Sequence, residues 1–478
     1  MNDSTATPRS GLATLALLTS KLTLAQFAPV VLNFFVFGLM GKLGGLYFAT
    51  FSQVATINMT ALSASIGVLT ALYPLAGREL GAGDQAAYRR VIADGMALAL
   101  LLALPLLLVS LAAGWIVEVS HNPPPVVALA HQIGWVAALG VIPNVLTGAY
   151  RMHFSMSGRA GLISIIYSVG SVLTVLLAIM AVAAAKGDAV HASLAITGVI
   201  AATNWLMFGA CWLCCRQQAA LKIEPLSFLR RVLAGRAGLL RLLAVGWPIG
   251  MVFFLEAGAL LFSSLTAGAF GLTTGDAHLA GLQWLGVCLV LPLGLGQACS
   301  QIVAIHDGSG ELTRRNAACW QAIGLGAVLA LFVTAAFALW PLQAASLLLG
   351  PRAAEPQLAA LLRGVMPATG VLFLFETIII VSAAALRGIG VTRSPLALSV
   401  VGYGLFTAGG IWLAAIVLGH GLLGVWIGLL GGFGITTIAV LLRCRSEFRL
   451  PGNRPEVAGD GSASSLTSPH LTTEGAKA

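Results

Sequence analysis

Twelve apolar stretches, each more than about 20 residues long, follow one another along this chain, and no other feature limits its fold so strongly. They fall at approximately 19–40, 47–77, 91–117, 126–150, 159–184, 191–215, 242–270, 278–305, 316–342, 358–384, 395–419 and 421–443. About 20 helical residues are what a hydrocarbon core about 30 Å thick demands. Backbone groups in lipid must be satisfied within a helix or a closed barrel. Leu and Ala dominate and strict period-two alternation is absent, so the barrel is excluded. Composition agrees, with 58% of residues hydrophobic and only 9% charged, against about 25% charged in soluble domains. The expected fold is an all-α integral membrane protein with twelve transmembrane helices.

The net charge of +9 raises the question of a nucleic-acid partner, and the positions of the charges answer it. With the amino terminus in the cytoplasm, the even-numbered connections and both tails hold 22 of the 26 Lys and Arg. Only Lys42, Lys186, Arg352 and Arg363 fall on the other side. This is the positive-inside pattern, so Arg89-Arg90, Arg230-Arg231, Arg314-Arg315 and the cluster from Arg443 to Arg449 set topology rather than bind nucleic acid. A multi-pass protein of the cytoplasmic (inner) membrane follows, with both termini cytoplasmic. The first apolar segment is interrupted by Lys21 and has no cleavage site, and reads as a retained helix rather than a signal peptide.

The most basic connection, 216–241, divides the chain into two blocks of six spans. The expected organisation is a cytoplasmic tail (1–18), an N-lobe (19–215), the basic linker (216–241), a C-lobe (242–445) and a disordered Ser/Thr/Gly/Pro-rich tail (446–478). Both blocks begin and end on one side, as parallel repeats about an axis normal to the membrane do. Gly81-Ala82-Gly83-Asp84 with Arg89-Arg90 returns as Gly308-Ser309-Gly310-Glu311 with Arg314-Arg315. Ser157-Gly158-Arg159 returns as Arg387-Gly388-Ile389-Gly390, with Gly158 matched to Gly388 at a slightly longer spacing. Prolines within the spans, chiefly Pro29, Pro248, Pro292 and Pro367, each remove a backbone hydrogen bond and are candidate kinks.

Several chemistries are set aside. No GxxxxGK[ST] loop is present for ATP, and no HExxH, paired CxxC or GxSxG motif supports a metal centre or a nucleophile. The seven cysteines lie mostly inside spans, and Cys211, Cys214 and Cys215 read as packing residues. No cofactor is expected, and energy for any transport has to come from an ion gradient or from a partner protein.

Two carboxylates stand out against this background. Glu256 lies fifteen residues after Arg241 and twenty before Asp276; Glu376 lies thirteen after Arg363 and eleven before Arg387. Both fall near mid-depth, where a charge costs at least a few kcal/mol and marks an ion or substrate pathway. Desolvation favours the neutral carboxyl, so each can carry a proton and release it when water or a cationic solute arrives. Alternatively the pair holds Na⁺ with Gln283 or backbone oxygens, and the residues themselves do not choose between the two ions. No Lys or Arg falls at mid-depth, so the cavity is expected to suit cationic or neutral amphipathic solutes, walled in part by Phe253 and Phe375. The first half has no mid-membrane acid, and its polar candidates include Asn33 and Asn204 with Gln26, Asn58 and Asn144.

Gly246-Trp247-Pro248 followed by Glu256, the run His278-Leu279-Ala280-Gly281-Leu282-Gln283, Pro292-Leu293-Gly294-Leu295, the turn Leu386-Arg387-Gly388-Ile389-Gly390 and the closing Gly424-Val425-Trp426-Ile427-Gly428-Leu429 together resemble the multidrug and toxic compound extrusion (MATE) family over residues 19–443. The resemblance implies two six-helix lobes related by a pseudo-two-fold axis around a central cavity. It also implies export by proton or sodium antiport, with Glu256 and Glu376 in the positions of the family's seventh- and tenth-helix acids. Many members carry an aspartate in the first helix; here Val36 to Leu39, before Met40-Gly41-Lys42-Leu43-Gly44-Gly45, are not acidic. Coupling is therefore expected in the second half.

The expected function is a monomeric, non-enzymatic antiporter exporting organic cations or amphipathic toxic solutes in exchange for H⁺ or Na⁺. The competing readings are a dedicated exporter of one self-made metabolite, a flippase for lipid-linked intermediates, and a membrane-embedded enzyme using Glu256 and Glu376 as acid and base.

Overall fold

The computed structural model describes residues 11–119, 122–217 and 236–449, and they are helical almost throughout. Twelve spans result: α1 (Leu12–Leu43), α2 (Gly45–Gly81), α3 (Gln85–Leu111), α4 (Pro124–Ala138 with Val141–Met156), α5 (Ala160–Ala184), α6 (Ala189–Gln217), α7 (Arg236–Ala269), α8 (Leu272–Gly308), α9 (Leu312–Leu339), α10 (Pro356–Gly388), α11 (Arg393–Val417) and α12 (Gly421–Glu447). Eleven are long and apolar enough to cross a membrane alone, and α4 qualifies as a bent pair. Large apolar side chains such as Leu176, Met180, Leu331 and Phe332 lie exposed on outer faces, where lipid rather than water is the solvent. The linker proposed at 216–241 and the tail at 446–478 fall mostly outside the described residues, although α7 begins at Arg236 and α12 runs to Glu447.

The turns record the duplication. Where one helix reverses into the next, a glycine takes the left-handed or related positive-φ conformation that side chains resist. Gly44 pairs with Gly271 (φ 128° and 118°) and Gly83 with Gly310 (φ 79° and 75°), at one common spacing along the chain. Gly158 pairs with Gly390 (φ 72° and 79°) and Gly187 with Gly419 (φ 91° and 70°), at a second spacing that is slightly longer. The second half thus carries a short insertion before α10, where the helix Pro341–Leu349 is followed by the 3₁₀ turn Gly350–Ala354. The partner of Gly158 is accordingly Gly390, not the Gly388 that motif matching selects.

The prolines sit in two kinds of backbone. Helices continue unbroken through Pro29, Pro248 and Pro367. The 45° bend lies in α4 at Leu139-Gly140, and α8 is interrupted at Leu289. In both cases a proline follows within the first turn of the new segment, Pro143 and Pro292. There its missing N–H would have had no helical partner anyway.

Helices α1 and α7 lean across the lobe boundary in matching ways. The start of α1 packs on α8, and a Cβ on Gly294 would press on Thr23. The start of α7 packs on α2, and a Cβ on Gly250 would lie 2.9 Å from the Ala64 carbonyl oxygen. Leu239 and Leu242 of α7 consequently bury in the core of the first lobe, beside Leu69, Leu72 and Met96. The second lobe has its own core around Phe373, Tyr403, Trp426 and Phe433. Its α11–α12 contact is tight, because a Cβ on Gly432 would overlap the Thr407 hydroxyl and sit 2.6 Å from that residue's backbone nitrogen. Gly432→Val should therefore destabilise the protein by about 1–3 kcal/mol, read as a lowered thermal midpoint in detergent; an unchanged midpoint would contradict this packing.

Candidate functional site

Glu376 sits in the middle of α10 with no exposed surface, and neither carboxylate oxygen finds a hydrogen-bond partner among the described residues. Glu256, half-buried on α7, is its electrostatic neighbour, and Tyr403 of α11 senses the charge of both. Tyr403 is buried, its ring lies 4.8 Å from that of Phe433, and its hydroxyl is likewise unpartnered. It belongs to a stretch of wider, π-helical backbone, Val400–Ala408, a form that recurs at functional sites. The Thr377 hydroxyl is a further unpartnered oxygen, one residue from Glu376. Buried polar groups are almost always satisfied, and Glu376 and Tyr403 are two that find no partner among the described residues.

Glu256 on α7, Glu376 on α10 and Tyr403 on α11 thus lie within electrostatic range of one another. Other candidates part company with them. Gln283 is exposed on α8. Phe253 packs against Gly67 of α2 and lies beneath the Arg387 guanidinium, 6.0 Å from its ring centroid. Phe375 packs against Gly434 of α12. Both phenylalanines tie helices together rather than wall the cavity described below. Asn33 lies on α1, but its side chain is outside those the structure describes.

Arg387 needed three dimensions to be noticed. As the end of α10 it looked like a topology anchor, yet it lies within electrostatic range of Glu256. Arg151 of α4 is also buried, 9% exposed with its Nε unpartnered, and both arginines act on Tyr73 of α2. Neither arginine lies at mid-depth: Arg387 is in the last turn of α10 and Arg151 is near the end of α4. His278 of α8 is fully buried as well, hydrogen-bonded through Nε2 to the Ser263 hydroxyl at 3.1 Å and edge-on to Trp426. Among the described residues, no cluster of His, Cys, Asp and Glu has the composition of a metal centre.

The first lobe holds the cavity. It measures about 380 Å³, the size of small-molecule pockets, and its wall includes Phe37, Phe51, Met59, Asn58, Asn144 and Asn204. Among the described residues, no charged side chain lines it. The Asn204 amide donates to the Gly140 carbonyl at 3.4 Å, at the bend of α4. The second half contributes Ala257 to the wall, the residue after Glu256. The cavity and the acid pair thus meet across α7.

The MatE family model matches residues 22–180 and 248–413, one segment in each lobe. The chain belongs to the MatE family. Its relatives include a probable multidrug resistance protein NorM of Rhizobium meliloti, 28% identical over 435 residues, covering 89% of this chain and 91% of that one. A probable NorM of Deinococcus radiodurans is 26% identical over 434 residues, covering 89% and 93%. Among solved structures, the fold matches an outward-facing multidrug resistance MATE family transporter of the MOP superfamily, with a TM-score of 0.82, 20% identity and coverage of 94% and 98%. It also matches a MOP superfamily transporter from Pyrococcus furiosus, with a TM-score of 0.83, 19% identity and coverage of 94% and 98%. MatE membership agrees with the two-lobe architecture and leaves the role of each side chain to be argued from the geometry.

Proposed function

We propose that this MatE protein is a secondary active exporter of amphipathic or cationic toxic solutes across the cytoplasmic membrane, driven by inward movement of H⁺ or Na⁺. The observation that carries this reading is Glu376, buried with both carboxylate oxygens unpartnered beside Glu256. An ionised, unpaired carboxylate so placed costs several kcal/mol. In this reading Glu376 holds a proton in this conformation, or shares a cation with Glu256. Either load can leave only when the site is hydrated or a competing charge arrives, and that is the requirement for exchange. NorM relatives described as multidrug resistance proteins support the substrate class.

The uncharged cavity of the first lobe would receive the solute. Apolar and aromatic walls supply affinity, and the amides of Asn58, Asn144 and Asn204 supply orientation. Ala257 places α7 in that wall, so a solute pressing on α7 would move the helix that carries Glu256. Asn144→Leu should lower export of hydrogen-bonding solutes several-fold while sparing purely apolar cations, because a lost hydrogen bond is worth about 1 kcal/mol. Equal loss for both groups of solute, measured in everted vesicles, would remove the amides from recognition.

Substrate export measured in proteoliposomes with proton and sodium gradients imposed separately tests the reading as a whole. Export that ignores both gradients would end it.

A further inference from the structure

Two arginines from opposite lobes approach α8, and neither has an anionic partner. Arg151 lies on α4 one turn before Ser155, whose hydroxyl donates to the Gln301 side-chain oxygen of α8 at 2.6 Å. Residues four apart share a helix face, so Arg151 lies on the face of α4 that meets α8. Arg387 is in the last turn of α10 beside Gly388, where a Cβ would lie 2.9 Å from the Ser300 carbonyl oxygen of α8. Its guanidinium lies over the Phe253 ring, 6.0 Å from the centroid. Tyr73 of α2 is buried within electrostatic range of both arginines. The Tyr73 hydroxyl donates to the Gln297 side-chain oxygen of α8 at 3.4 Å, and the Gln297 amide donates onward to Gln26 of α1 at 3.5 Å.

What is left open here differs in kind from what is left open beside Glu376. There the unpartnered atoms are oxygens of a carboxylate; here they are the Arg151 Nε, the Gln26 Nε2 and the Ser300 hydroxyl, all able to donate. Arg151 is only 9% exposed, and no ion pair joins it or Arg387 to a carboxylate among the described residues. A buried carboxyl relieves itself by taking a proton, but a guanidinium stays charged. Its charge has to be met by an anion brought to it. Glu256, in range of Arg387, offsets one of the two positive charges when ionised, which leaves the pair suited to a monoanion. Guanidiniums present paired N–H groups spaced for the two oxygens of a carboxylate. Arg387, Phe253 and Gln297 are half-buried, so the place is not sealed from solutes.

We propose that Arg151 and Arg387, with Tyr73 and Gln26, form a carboxylate-binding site between the lobes, and that the protein accepts solutes bearing an acidic group there. Its use in export rests on the antiport reading, whereas the site itself is measured by binding alone.

The test follows para-fluorobenzoate binding to the purified full-length protein in detergent by fluorine magnetic resonance, with para-fluorobenzamide as an uncharged control of the same shape. The wild-type chain should bind the benzoate and leave the amide free. Arg151→Gln and Arg387→Gln should each weaken benzoate binding at least tenfold. Arg89→Gln, which removes an exposed cation of the basic end, should leave it unchanged. If one arginine variant does not fold, the other decides together with Gln26→Leu, which removes a donor and should weaken binding several-fold. Equal binding of benzoate and amide, or benzoate binding that survives in the folded variants, would overturn the site. Carboxylate binding in a protein whose export ignores ion gradients would keep the site and remove the antiport reading. Gradient-driven export of organic cations by a chain that binds no benzoate would do the reverse.

Discussion

Glu256→Gln should abolish ion-driven export while leaving the protein folded. The substitution keeps the volume of the side chain and removes only its ability to gain and lose charge. Glu256 is half-buried on α7, lies within electrostatic range of Glu376 and Arg387, and directly precedes a residue of the solute cavity. It is therefore the acid best placed to exchange its load with incoming solute. A loss of at least tenfold in gradient-driven export is expected, corresponding to about 1.4 kcal/mol or more of coupling. Downhill solute binding, followed by fluorescence in detergent, should survive, since no charged side chain lines the cavity among the described residues. Glu256→Asp should recover part of the export, because it retains a titrating group at a shorter reach. Wild-type export rates in Glu256→Gln vesicles would remove this residue from the mechanism.

Glu376→Gln is expected to separate function from stability. In this conformation the carboxyl is buried and without partners among the described residues, so an uncharged isostere of the same volume should leave stability little changed. Glu376→Leu should go further and raise the thermal midpoint, since replacing buried ionisable groups with apolar ones often stabilises by about 1–4 kcal/mol. Export should nonetheless fall at least tenfold in both variants, about 1.4 kcal/mol of coupling. A large drop in the midpoint with export intact would mean that Glu376 is an ordinary structural acid whose partners are made in another state.

How much of this was legible in the chain can be judged residue by residue. The twelve spans follow from apolar length alone, a property each segment owns without its neighbours. The duplication was visible in Gly81-Ala82-Gly83-Asp84 and its echo at Gly308, because turns constrain single residues. Glu256 and Glu376 were conspicuous because acids are costly in oil, and helix geometry alone put them at similar depth. What could not be read was anything set by one helix lying on another. Phe253 carries no local sign that it will sit under Arg387. Tyr403 and His278 look like ordinary residues of apolar spans until Phe433 and Trp426 of α12 pack on them. The bends also depend on context: Pro29 and Pro367 lie inside continuous helices, whereas α4 turns at Leu139-Gly140. The short insertion before α10 shifted the second half of the repeat, so matching short motifs chose Gly388 where the backbone chooses Gly390.

The central claim is that Glu256 and Glu376 carry a load that solute displaces, and ion release from the purified protein tests it most directly. An organic cation such as tetraphenylphosphonium is added to protein in weak buffer, with protons followed by a pH-sensitive dye and sodium by radiotracer displacement. The wild-type chain should release one of the two ions as solute binds, and Glu256→Gln combined with Glu376→Gln should bind solute and release neither. Equal release from the double variant would show that the ion is held elsewhere, and the account given for this pair would be wrong.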